Sequence, residues 1–475
     1  MPERAVIVTS RVVAGVVGIA VAAAAITGAA LLPLPTLQRT PASVAVTPQP
    51  ADKQLVCPGA VLQLGDIGGQ NASVASPIGA PTLSLAASAG NYATDSLRQQ
   101  GAAADAQGYP TLVTAPAATE ARIAGAQYQT VNLDDYRGLA AAACAQPSSD
   151  TWLVGGSTAV GRTTLITLAN PGTVDSTVSL ELFSGDGAVE APGLTGIVVA
   201  ANGQRVLSLA GFGPGLPNLT VHVTSRGGPV VATLQESIVR GIEPGGVDLI
   251  GTTSAPNTVN VIPGVLVLQA DAVAGRLGEE GFSDLDTVLR VYVPGDVAVQ
   301  ASVRVIPEGD LLTGASFDLV LDPGVVSDVP IEGLVDGSYS VVVETSVPVV
   351  TAMRVSTVAA TSSGSTPAKA ADVAWFAAAT VLSESVFASV ASGPGASLHL
   401  VNPGDSAATV TVGATTVSVA AGASVTVPVT QGESLSITGA EGLFGSISFG
   451  SAGRLASYLL SSVANSEAPV TVYPG

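Results

Sequence analysis

The chain has 475 residues, with 17 Lys and Arg against 36 Asp and Glu, a formal net charge of -19, and only 11% charged residues. Such a surface repels nucleic acid, anionic lipid and phosphate-rich polymers, so no nucleic-acid partner is expected. Aromatic residues make up 4% of the chain and the only histidines are His222 and His399, which leaves few stacking platforms and little imidazole for catalysis or metal ligation.

Residues 1–11, with Arg4 and Arg11, read as a short cytoplasmic N-terminus. Residues 12–32 are 21 consecutive uncharged, mostly apolar positions, enough for a helix of about 30 Å. They predict a single-pass signal anchor in the cell membrane with an extracytoplasmic body, or a secreted chain if the Ala-x-Ala triplets are cleaved. Pro33, Pro35, Pro41, Pro48 and Pro50 make residues 33–56 a stiff stalk.

Cys57 and Cys144 are the only cysteines, and an even pair outside the cytoplasm reads as one disulfide. Closing a loop of about 88 residues contributes about 4.5 kcal/mol in the chain-entropy model. The enclosed stretch, residues 57–150, is irregular and is expected to cover the first repeat, with a degenerate fourth module as the alternative.

Beyond it the chain repeats. LITLANPG at Leu165 to Gly172, VLRVYVPG at Val288 to Gly295 and SLHLVNPG at Ser397 to Gly404 each alternate and stop at Pro-Gly, as half-buried strands entering turns do. Their prolines are 123 and 109 residues apart, the size of an immunoglobulin-like domain. TWLVGG at Thr151, VNVIPG at Val259, VAWFAA at Val373 and VTVYPG at Val470 mark seams between units. The fold class expected is all-β, with tandem immunoglobulin-like β-sandwich repeats after one N-terminal transmembrane helix. The sandwiches span 151–264, 265–372 and 373–475, with a flexible joint over 361–372 and a late hairpin in each unit. Strung out on the stalk, they would make a rod of roughly 100 Å.

Candidate chemistry is sparse. His222 and His399 fall on polar sides of alternating strands, a solvent face. No nucleophile elbow, zinc helix or phosphate loop occurs, so no catalytic residues and no cofactor are expected. Glu279, Glu280, Asp284 and Asp286 form an acidic stretch that could hold calcium, against a plain solvated loop. Trp152 and Trp375 occupy matching seams, and Trp375 with Phe376 could stack on a sugar, against core packing.

The run GLAAAACAQPSSDTWLVGG, Gly138 to Gly156, followed by LITLANPG, resembles an actinobacterial group of secreted, membrane-anchored proteins catalogued as domain of unknown function 5719. The Cys-Pro-Gly at Cys57 and the spacing of Cys144 to Trp152 belong to the same resemblance, which implies one N-terminal membrane helix and brings no catalytic residues. Together these features predict a non-enzymatic, extracytoplasmic cell-envelope structural or interaction protein. It would be held in the membrane by its helix, with envelope proteins or cell-wall glycan as partners. A glycan- or calcium-binding module is the alternative, and a carboxylate-based hydrolase is third.

Overall fold

Alternation with a period of two gives each strand one face to bury, and two sheets bury those faces against each other. The computed structural model of the chain describes residues 13–24, 27, 44–46, 52–64, 75–99, 107–117, 121–309, 312–359, 371–461 and 470–472. In the first sandwich eight strand positions follow in chain order. They are Asp150–Val154, Arg162–Asn170, Ser176–Ser184, the split pair Gly187–Val189 and Ile197–Val199, Gly203–Ser208, Thr220–Arg226, Val231–Arg240 and Glu243–Ile250. Positions one, six, three and four make one antiparallel sheet, and eight, seven, two and five the other.

The third sandwich repeats this order from Ser385–Ser389 to Arg454–Leu459. The second does so from Asn257–Val267 to Ala371–Ala377, with one long strand, Gly337–Val358, filling positions six and seven. Its first half pairs with Asn257–Val267 and Val299–Pro307, its second with Val288–Tyr292 and Ala371–Ala377. The expected late hairpins are therefore corners: in each unit the two strands lie in opposite sheets, because a Gly- or Pro-marked turn can carry a chain between sheets as well as back along one. The repeated Asn-Pro-Gly has a defined task. Asn170 Nδ2 donates to the carbonyls of Val174 (2.9 Å) and Val199 (3.0 Å) while its Oδ1 accepts from Gly172 N (2.9 Å), and Asn402 repeats the pattern with Ser406, Val419 and Gly404.

The N-terminal stretch is a shortened fourth module. Its strands Lys53–Cys57, Thr111–Ala115 and Ala93–Ser96 pair as positions one, six and three, and Arg137–Ala143, Ile123–Asn132 and Thr82–Ala87 as eight, seven and two. Leu55, Val113, Ala115 and Ile123 form its own core around the Cys57–Cys144 disulfide. It packs on the first sandwich, where Gln235 exchanges two hydrogen bonds with the Leu62 backbone, both 2.7 Å. The seams also shift. Asn257–Val267 opens the second sandwich and Ala371–Ala377 closes it, so VAWFAA corresponds to Glu243–Ile250 rather than to TWLVGG. Both read as apolar runs because both strands are buried on two faces.

The modules do not form a rod. Their four eighth strands pack in succession, N-terminal module on first sandwich, first on second, second on third, and third back on the N-terminal module. Polar positions on two of the second strands also join neighbours. Arg290 of the second sandwich is fully buried and donates to Gly156 O (2.7 Å) and Leu219 O (3.3 Å) of the first. His399 of the third, at the equivalent place, is fully buried against Glu308 of the second. A strand with a polar stripe was expected to face water, but here it faces the next module.

One expectation is overturned outright. Within the stretch 12–32 the structure describes residues 13–24 and 27, which are helical, and among the described residues no helix is long and apolar enough to cross a membrane. The transmembrane anchor over 12–32, the single-pass localisation and the membrane partner are set aside with it. Residues 1–11, most of the Pro-rich stretch and most of the 361–372 joint lie outside the described residues. Val44–Val46 and Val470–Val472 pair antiparallel and belong to a second compact unit.

Candidate functional site

The four eighth strands meet at one carboxylate. Asp372 Oδ2 accepts from Leu139 N (2.9 Å) and Leu455 N (3.0 Å), and its Oδ1 from Val373 N (3.0 Å) and Val247 N (3.2 Å). Each donor is the residue at the equivalent register of one module, so in its ionised form one side chain fills its four acceptor sites with one amide from each of four modules. The sequence makes room for it: a Cβ on Gly138 would strike Asp372 Oδ1, and one on Gly246, whose φ is +126°, would lie 2.7 Å from Val373 N. Burial pushes the Asp372 carboxyl up to about 8, against the pull of the four N–H groups.

Asp248 and Glu236 lie beside it. Asp248 accepts from Trp375 N (2.7 Å) and Leu249 N (2.9 Å), and Glu236 from Trp375 Nε1 (2.7 Å). Burial raises the Asp248 carboxyl well above its ordinary range, and the charges of Asp372 and Glu236 add to the rise. The Arg290 guanidinium lies 4.5 Å over the Trp375 ring and supplies the nearby positive charge. A cavity of about 110 Å³ adjoins this centre, with walls from all four modules, including Ala142, Leu249, Trp375 and Tyr458. That is well below the roughly 300 Å³ at which small-molecule pockets begin.

The second buried cluster joins the last two sandwiches. Glu308 Oε2 pairs with His399 Nδ1 at 2.5 Å and accepts from Thr426 Oγ1 (2.6 Å), Glu308 Oε1 accepts from Ser340 Oγ (2.6 Å), and His399 Nε2 meets Ser448 Oγ at 2.7 Å. Burial works against the Glu308 carboxylate, but the His399 charge and these hydrogen bonds outweigh it and hold its carboxyl below the usual range. A hydroxyl, an imidazole and a carboxylate thus stand in line, yet Ser448 and His399 are both buried and Gly264 is packed against the imidazole. The arrangement clasps two modules.

The residues singled out from sequence fall elsewhere. Trp375 and Phe376 are 3% and 1% exposed, so neither ring offers a face to a sugar, and the pair packs instead at the module junction. Trp152 stacks on His222 at 4.2 Å, and His222 is held between Glu181 (2.7 Å) and Asp150 (3.2 Å). The acidic stretch does not converge. Asp284 is bound by Arg240 and Arg162, which outweigh burial and lower its carboxyl. Asp286 pairs with Arg354 at 2.8 Å, Glu279 reaches Arg276, and Glu280 is exposed. Among the described residues no group of three or more His, Cys, Asp or Glu is placed to hold a metal ion. The reading missed Asp372, Arg290 and Glu308. The available signal was a single acid inside the apolar run AADVAWFAA, which was assigned to a linker.

Fold and site together define a four-module all-β protein whose modules share a buried polar centre. The chain belongs to the family of unknown function DUF5719, whose family model matches residues 98–440. That range takes in three of the four amides around Asp372, leaving out Leu455, and also leaves out Cys57. No curated protein and no solved structure matches the chain.

Proposed function

We propose that this chain is a non-enzymatic binding scaffold, four modules held as one body so that its loops keep fixed relative positions, working in an oxidising compartment. The observation that carries the reading is the Asp372 carboxylate bonded to an amide of every module. Rigid preorganisation of that kind lowers the ordering cost of binding. The disulfide supports the compartment, since such bonds persist where thiols are oxidised. Both histidines and the buried acids are engaged in contacts within or between modules, which supports a non-catalytic role.

The test is turnover of p-nitrophenyl esters by the wild type and by Ser448→Ala. The scaffold reading expects no hydrolysis dependent on Ser448. Turnover that disappears in a folded Ser448→Ala variant would overturn it in favour of a hydrolase using Ser448, His399 and Glu308.

A further inference from the structure

The connection between strand positions one and two is short in the first and third sandwiches, residues 155–161 and 390–396. In the second it runs from 268 to 287 and folds into the short helix Ala270–Arg276 and a helical turn at Ser283–Leu285. This added segment is laid over the end of its own sandwich and borders an open pocket of about 360 Å³, within the range of small-molecule pockets. The walls are apolar, from Val267, Val273 and Leu277 on one side and Ile331 and Leu334 on the other.

Two polar groups line the same cavity. Ser356 is 4% exposed and its Oγ has no hydrogen-bond partner. Asp286 gives one oxygen, Oδ1, to Arg354 Nη2, and its Oδ2 accepts nothing among the described residues. Glu332 adds a second acid at the rim. Burial raises the Asp286 carboxyl, and the nearby Asp284 and Asp328 add to the rise despite Arg354, although each of those two acids has its own arginine partner. A buried hydroxyl without a protein partner still calls for a hydrogen bond, which water or a ligand can supply.

The geometry points to a binding site for a small amphiphilic amine in the second sandwich, its apolar body against Val273, Leu277 and Ile331 and its ammonium group on Asp286 Oδ2 and Ser356 Oγ. The acidic stretch flagged in the sequence thus contributes one carboxylate to an organic cation rather than four to a metal. The site is independent of the scaffold reading, since no module junction forms its walls.

Saturation-transfer NMR on the full chain tests it, with cyclohexylmethylamine as the probe and cyclohexanecarboxylate as its charge-reversed counterpart. Saturation transfer to the amine at millimolar concentration is expected, at least five-fold weaker for the carboxylate. Asp286→Asn should reduce the amine signal at least five-fold. Ala274→Phe, at an exposed position of the helix that lines the cavity, should fill the space and abolish the signal while circular dichroism stays unchanged. No transfer to the amine, equal transfer to both probes, or an amine signal that survives in folded Ala274→Phe would overturn the assignment.

Discussion

Replacing Asp372 with Ala removes one carboxylate and leaves the amides of Leu139, Val247, Val373 and Leu455 without an acceptor, each on a buried residue. A buried donor left unpaired costs about 1–3 kcal/mol, so four give about 4–12 kcal/mol, reduced by no longer having to bury a carboxyl group. Even the low end is a large part of the roughly 5–15 kcal/mol that holds a domain folded. Asp372→Asn keeps the shape and one acceptor oxygen, and should cost less than Ala. Urea unfolding followed by far-ultraviolet circular dichroism and by tryptophan fluorescence measures this, because Trp375 lies at the centre and Trp152 in the first sandwich. The expectation is a much lower midpoint for Asp372→Ala, with fluorescence changing before circular dichroism as the modules come apart. An Asp372→Ala protein with the wild-type midpoint would show that the four amides find other partners and that the carboxylate does not join the modules.

Further outcomes follow from the same contacts. The Asp372 carboxyl sits at about 8 when folded and at about 3.9 when unfolded, so the folded chain keeps a proton that the unfolded chain releases. Its contribution is full below about pH 4 and is lost as pH rises to about 8, at up to about 1.4 kcal/mol per pH unit, and urea midpoints from pH 5 to 9 should fall in the wild type and fall less in Asp372→Asn. Glu308 has the opposite sign: its carboxyl is lowered, so its contribution is present above the ordinary carboxylate range and lost as pH falls below it, which acid titration of stability should show as a loss blunted in Glu308→Gln. His399→Ala leaves the Glu308 carboxylate buried with only hydroxyl partners and should cost about 3–5 kcal/mol by thermal or urea unfolding. Reduction, or Cys57→Ser with Cys144→Ser, should destabilise the N-terminal module by about 4–5 kcal/mol, read as earlier proteolysis within residues 52–145.

The strands and their repeat were legible because alternation and Pro-Gly turns are local signals, and the Asn-Pro-Gly of Asn170 and Asn402 proves to organise equivalent turns. Which strands pair was not legible. Positions six and seven resemble a hairpin in sequence whether they stay in one sheet or cross to the other, and only the long strand Gly337–Val358 makes the crossing visible. The site was hidden for a related reason. Arg290 and His399 stand at polar places in alternating strands, and a period-two pattern records that a face is polar without recording whether water or another module covers it. The fourth module was read only as the alternative to an irregular cover, because among the described residues only the two-residue strand Arg98–Gln99 lies between its positions three and six and because it is built largely from Ala and Gly, as in Arg137–Ala143. The apolar stretch over 12–32 was read as a membrane helix from its composition, whereas among the described residues no helix is long and apolar enough to cross a membrane.

The central claim is that four modules are joined through one carboxylate, and amide hydrogen exchange tests it most directly. The account predicts that the amides of Leu139, Val247, Val373 and Leu455 are among the slowest in the chain, exchange together, and are all accelerated by Asp372→Ala. Four unrelated exchange rates, each following its own module and unmoved by the substitution, would contradict it.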